Sequence, residues 1–292
     1  MNARRRLGPV AVLAFAALCA CESWSDRLPA DGLSAIGEER GIEDLPRRIL
    51  HEASGVELIL VEPGRYMQGA MAGAFFDEDE KPAHDVKFTR PFYLARTEVT
   101  VGQWRRYVEA GGAAGTALEE PAWAAHTGWS DDYPVVQVSW NEAKAFCDRF
   151  GMQLPGEAQW EYAAKAGTTT HFVYGDDIYR LAEHGWYGDY EANANRGAHP
   201  VAQLRANPWG FFDMAGNVRE WCADAYDDQA YATLGAGVTD PAPVTEGMAR
   251  VVRGGSWAAP AHDLRATDRD KLATSFRDDR TGFRPMIVVT PR

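Results

Sequence analysis

Residues 251–285, VVRGGSWAAPAHDLRATDRDKLATSFRDDRTGFRP, constrain the fold more than any other stretch. They place Arg253, Arg265, Arg269, Arg277, Arg280 and Arg284 in a chain whose formal net charge is −12. Guanidinium groups at that density in an acidic protein need carboxylate partners or a polar pocket. Gly254 and Gly255, just before Ser256 and Trp257, permit backbone conformations or close approaches that a Cβ would obstruct. The segment therefore reads as tightly folded, with its arginines turned inward or across a cleft. Two arrangements fit: a network of Arg–Asp pairs knitting together a loop-rich fold, or a cleft lined by cations.

The preceding chain supplies regular elements. From Val56, VELILVEPGRYMQGA predicts a strand, a turn at Pro63 and Gly64, and a second strand. The run FFDEDEK offers Asp77, Glu78, Asp79 and Glu80 as oxygen ligands for a hard cation or as a solvated acidic loop. HDVKFTRPFYLARTEVTVGQWRRYVEA predicts a strand pair and then a helix capped by Thr100, with Val101, Trp104 and Val108 on one face. An irregular loop over residues 109–132 carries Trp123, His126 and Trp129, and long loops of this kind are often binding surfaces. A second helix, capped by Asn141, carries the apolar stripe Ala143, Phe146, Cys147 and Phe150 and ends at Gly151. A third begins after Pro155, with Gly156 in its capping position.

Several of these strings together resemble the formylglycine-generating enzyme family, also called the sulfatase-modifying factor family. Its relatives include the ergothioneine-synthase carboxy-terminal domain and a pyoverdine-maturation protein. The resemblance is carried by Phe92, Tyr93, Glu98, Val99 and Thr100, by PVVQVSWNEAKAFC and QLPGEAQWEYAAKAG, by NPWGFFDMAGNVREW, and by RGGSW with GFRP. It implies an α+β fold of the formylglycine-generating-enzyme-like (C-type-lectin-like) kind, loop-rich and low in regular secondary structure. At the GNVRE turn it implies a structural calcium held by Asn217, the Val218 carbonyl and Glu220; a hydrogen-bonded turn without metal fits the residues equally well.

A formylglycine generator binds copper through two cysteines in the GGS segment, because thiolates hold Cu(I) well. Counted from Gly254, those positions fall near Ala259 and Leu264, so no copper is expected. Cys147 and Cys222 read as core residues or as one disulfide. None of His51, His84, His126, His171, His184, His199 and His262 stands in a His-x-Asp or His-x-Glu pair, so iron is not supported. There is no Gly-x-Ser-x-Gly elbow and no Walker loop.

Residues 1–20 join Arg4, Arg5 and Arg6 to a short apolar run and small residues, which reads as a signal peptide rather than a membrane span. The string Leu18-Cys19-Ala20-Cys21 resembles a bacterial lipobox, which implies lipidation of Cys21 and anchoring in the outer membrane facing the periplasm; an ordinary secretory signal cut nearby also fits the residues. Residues 21–54 then read as a tether with one short helix near 43–53, and 55–292 as the domain. Loss of residues 1–20 removes three arginines and no acids, taking the formal charge from −12 to −15. Nucleic acid is thereby disfavoured as a partner, and the membrane is reached through the anchor alone.

Two functions remain. One is a lipoprotein that binds a periplasmic protein, peptide or metabolite through Trp257, His262, Arg265, Asp268, Arg269 and Arg277, with Trp123 and Trp129 as lids. The other is an oxidoreductase acting on a secreted metabolite, siderophore precursor or protein side chain, with His262 beside Asp263 as the candidate general base.

Overall fold

The computed structural model describes residues 23–70, 77–172, 174–188, 196–234 and 237–291; the signal segment and Cys21 lie outside them. Among the described residues three sheets form. The largest is antiparallel, in the order β1 (Leu33–Ala35), β2 (Arg48–His51), β3 (Val56–Val61), β6 (Phe92–Ala95) and β12 (Met286–Val288). A second joins β4 (Gly64–Gln68) to β5 (His84–Phe88), with β8 (Gly237–Thr239) parallel to β5. The third runs β10 (Asp270–Ala273), β9 (Ala249–Arg253), β7 (Arg219–Ala225) and β11 (Thr281–Gly282), the last parallel to β7. The helices are α1 (Val101–Glu109), α2 (Ala124–Thr127), α3 (Trp140–Arg149), α4 (Glu157–Lys165) and α5 (Ala230–Thr233). The architecture is α+β and loop-rich, as the resemblance implies.

The period-2 alternation of β3 and β6 decides the layering. Leu58, Leu60, Tyr93 and Ala95 pack in one apolar cluster with Trp104 of α1 and Phe146 and Cys147 of α3. Ile59, Val61, Phe92 and Leu94 pack in another with Trp160, Ala163 and Ala164 of α4. The central sheet is thus buried on both faces, which is why these strands are apolar at successive positions. Strands that follow one another in the chain part company here. β4 leaves β3 to pair with β5, and β5 and β6 belong to different sheets.

Three local expectations change. The segment read as a tether supplies β1 and β2, and a strand rather than a helix occupies 48–51. Leu45 and Ile49 have no exposed surface, and burying each such side chain contributes about 1.5–3 kcal/mol. The cap of α3 is Ser139, whose hydroxyl accepts from the Glu142 amide at 3.3 Å while Glu142 Oε2 accepts from the Ser139 amide at 2.8 Å. Cys147 and Cys222 are free thiols in separate apolar clusters, so they form no disulfide.

Candidate functional site

The arginine-rich segment enters through β9 and turns sharply at Gly254 (φ 92°) and Gly255 (φ 67°). A Cβ on Gly254 would lie 3.0 Å from the Trp160 ring, and one on Gly255 would lie 2.9 Å from the Asp263 carbonyl oxygen. Both positions therefore need glycine. The turn is laced to the GNVRE turn: the Gly216 amide donates to the Gly254 carbonyl and the Trp257 amide to the Asn217 carbonyl, each at 2.7 Å.

The arginines prove to be structural connectors. Arg253 is fully buried; it donates to Glu161 Oε2 at 2.6 Å and to the carbonyls of Ala266 and Thr267, each at 2.8 Å. Arg269 forks onto Glu157 at 2.7 and 3.0 Å and lies 4.3 Å from the centre of the Tyr231 ring. Arg265 reaches Glu80 Oε1 at 2.5 Å, and Arg284 holds Glu220 at 2.6 and 2.7 Å. Arg277 pairs with Glu142 at the start of α3. The expectation of an arginine-lined cleft that grips carboxylates is therefore corrected, because these guanidinium groups already have acidic partners.

A cleft of about 320 Å³ does open beside this network, and its accessible groups are largely acidic. Ser256, Ala259, Asp263, Asp268 and Asp270 line it, with Asp77 at one side. Arg219, Arg253 and Arg269 form part of its wall, with the charge of Arg253 and Arg269 turned toward Glu161 and Glu157 and that of Arg219 toward Asp270 and Asp278. Burial, followed by the charges of Asp263 and Glu80, pushes the Asp268 carboxyl up to about 8. A larger cavity of about 590 Å³ lies between Arg47, Arg96, Tyr162 and Trp209; it contains no residue of the 251–285 segment.

The expected ligand-binding residues separate. Asp268 and Arg269 line the cleft. His262 stands exposed next to it, its Nε2 3.0 Å from Asp263 Oδ1. Arg265 lies behind it on Glu80, and Arg277 pairs with α3 instead. Trp257 and Trp123 both donate through Nε1 to the Asp279 carbonyl, at 3.2 and 3.0 Å. Trp123 is buried against Tyr133 as a core residue rather than a lid, whereas Trp129 is half-buried under Arg105. Asp270 and Ser256 are not among the expected binding residues, and Asp263 enters only as the neighbour of His262. Only a fold that returns β10 alongside β9 brings Asp270 next to the Gly254–Gly255 turn.

The two side chains expected to hold calcium at the GNVRE turn, Asn217 and Glu220, already have protein partners. Both Glu220 oxygens accept from Arg284, and Oε2 also accepts from Trp160 Nε1 at 2.8 Å. Asn217 Oδ1 accepts from the His199 amide at 3.0 Å, and its Nδ2 donates to Glu98. The residues do not fit a copper thiolate pair. Ala259 lines the cleft, Leu264 is fully buried, and burial pushes both described thiols well above their usual range. Among the described residues, the one group of three or more His, Cys, Asp or Glu with metal-ligand spacing is Asp77, Glu80 and Asp268, and it contains no histidine.

Comparison with known proteins agrees with this fold. The model of the sulfatase-modifying factor enzyme 1-like domain matches residues 47–289. A formylglycine-generating enzyme of Streptomyces coelicolor is 32% identical over 76% of this chain and 86% of its own. A serine/threonine-protein kinase pkn1 of Chlamydia caviae is 29% identical over 90% of this chain, which spans only 43% of that relative. The structure of PvdO from Pseudomonas aeruginosa superposes with a TM-score of 0.69 at 27% identity, covering 81% of this chain and 95% of PvdO. This chain belongs to the sulfatase-modifying factor enzyme 1-like, or formylglycine-generating-enzyme-like, domain family.

Proposed function

We propose that this chain is a lipid-anchored envelope protein that binds, in the cleft beside Gly255 and Ser256, a peptide, protein or metabolite carrying a basic group. The observation that supports this reading is the contrast in the cleft wall. Arg253 and Arg269 are spent on buried glutamates and Arg219 on Asp270 and Asp278, while Asp263 faces a cavity of about 320 Å³. Ionised carboxylates at a cleft mouth attract cationic groups and form charge-assisted hydrogen bonds with them. The ligand's polarity is accordingly opposite to the one that arginine density alone suggests. Copper-dependent formylglycine generation is not the function proposed, because Ala259 and Leu264 supply no thiolate.

The test is fluorescence titration of the full chain in detergent with short peptides that differ only in one Lys, Arg or Glu. Basic peptides should bind more tightly, and Asp263→Asn should weaken them roughly tenfold, on the scale of a lost charge-assisted contact. Equal or tighter binding of the Glu peptide sinks the reading.

A second reading, an oxidoreductase of the same family, is favoured by His262 standing against Asp263 next to the cleft. A carboxylate of this kind can orient an imidazole for proton transfer. Under this reading His262→Ala abolishes turnover and leaves ligand affinity intact. Unchanged turnover removes His262 from the chemistry.

A further inference from the structure

Glu80 is fully buried, yet half of its carboxylate is unused. Its Oε1 accepts from the Asp77 amide at 3.1 Å and from Arg265 Nη2 at 2.5 Å, whereas Oε2 has no hydrogen-bond partner among the described residues. An unpaired charged oxygen in a buried position is costly, so the site calls for a ligand that supplies positive charge. Two further carboxylates meet it there. Asp77, Glu80 and Asp268 each present one oxygen, and the three lie within 4.8 Å of one another. Asp77 is exposed, which opens a path from solvent, and both Asp77 and Asp268 border the cleft.

We propose that Asp77, Glu80 and Asp268 form a binding site for a hard divalent cation, calcium by preference, at the side of the cleft. Charge balance points the same way. A bound cation displaces the proton that Asp268 otherwise holds, and the three carboxylates set against the guanidinium of Arg265 then carry two net negative charges, which one divalent ion neutralises. The donors are all oxygen, the chemistry that hard cations take. Their number also suits calcium, which takes about 6–8 oxygen ligands, better than magnesium, which is usually held by one or two carboxylates. Water entering past Asp77 completes the coordination shell. Arg265 keeps Glu80 Oε1 and so orients the free Oε2.

This site is separate from the GNVRE turn and does not depend on what the cleft binds. The experiment is calorimetric titration of calcium chloride into the full chain in detergent, after treatment with chelator. One saturable site is expected, and Asp77→Asn and Asp268→Asn should each weaken it roughly tenfold or more, because the number of charged ligands sets affinity. Asp77 is exposed, so its substitution leaves the fold in place, as circular dichroism will verify. Asp131→Asn, which removes an exposed acid outside the trio, should leave calcium affinity unchanged. Absence of saturable calcium binding overturns the proposal. So does equal affinity in the Asp77→Asn and Asp268→Asn proteins, which would put the ion elsewhere.

Discussion

Arg284 and Glu220 show what the buried charges in this protein do. Neither side chain is exposed, and they meet in a two-pronged contact beside Glu98 and Asp213. Burial, followed by the neighbouring charges, drives the Glu98 carboxyl well above the usual carboxylate range. One guanidinium thus compensates a crowded acidic interior. It also ties the β12 end of the chain to the carbonyls of Ala95 and Phe212, at 3.1 and 2.9 Å. Removing one member of a buried pair strands the other charge, which costs about 3–5 kcal/mol. Arg284→Met should lower unfolding free energy by that order in urea titration, and Glu220→Gln placed in the same chain should restore part of the loss. A single substitution that costs under about 1 kcal/mol is inconsistent with a structural role for the pair.

At the scale of elements, α4 lacks a cap of its own. Gly156 has no side chain to accept the first amides, and Asp224 of β7 supplies the acceptor across the fold. Its Oδ2 accepts from the Glu157 amide at 2.6 Å, and Oδ1 accepts from the Val244 amide at 3.1 Å. Asp224→Ala should therefore destabilise the protein by about 1–2 kcal/mol, the size of a lost cap, read from the shift in urea midpoint. Asp224 also titrates. Burial, then the Glu157 charge, pushes its carboxyl up to about 6, although both amide bonds oppose this. Its unfolded value is about 3.9, so the folded state holds the proton more tightly between about 4 and 6. The contribution is fully present below about pH 4 and is lost as pH rises through about 6. Unfolding free energy measured across this window should fall less steeply with pH in Asp224→Asn, and an identical slope contradicts the assignment.

For the whole molecule, the anchoring expectation has a direct test. Cys21→Ser should shift the chain from the membrane fraction toward the soluble periplasmic fraction, because acyl chains contribute about 0.8 kcal/mol per buried CH2. A membrane-bound Cys21→Ser protein removes the lipid anchor from the account. The family and its α+β layering were legible in the sequence, since strings such as GNVREW and RGGSW sit at turns whose backbone tolerates few residues. Apolar stripes were legible too, because Ala143, Phe146 and Cys147 repeat at the helical period on α3. Positions 33–51 were misread because short strands at a sheet edge carry no periodic signal of their own; their burial comes from β3. Pairing of charges was not legible. The sequence by itself determined that the arginines of 251–285 need acidic partners and that no cysteine pair stands among them. Only the tertiary structure decided that the partners are Glu80, Glu142, Glu157, Glu161 and Glu220, and that the cleft beside them is acidic. The reason is physical: an ion pair depends on distance and burial in three dimensions, and these five pairs lie between 64 and 185 residues apart along the chain.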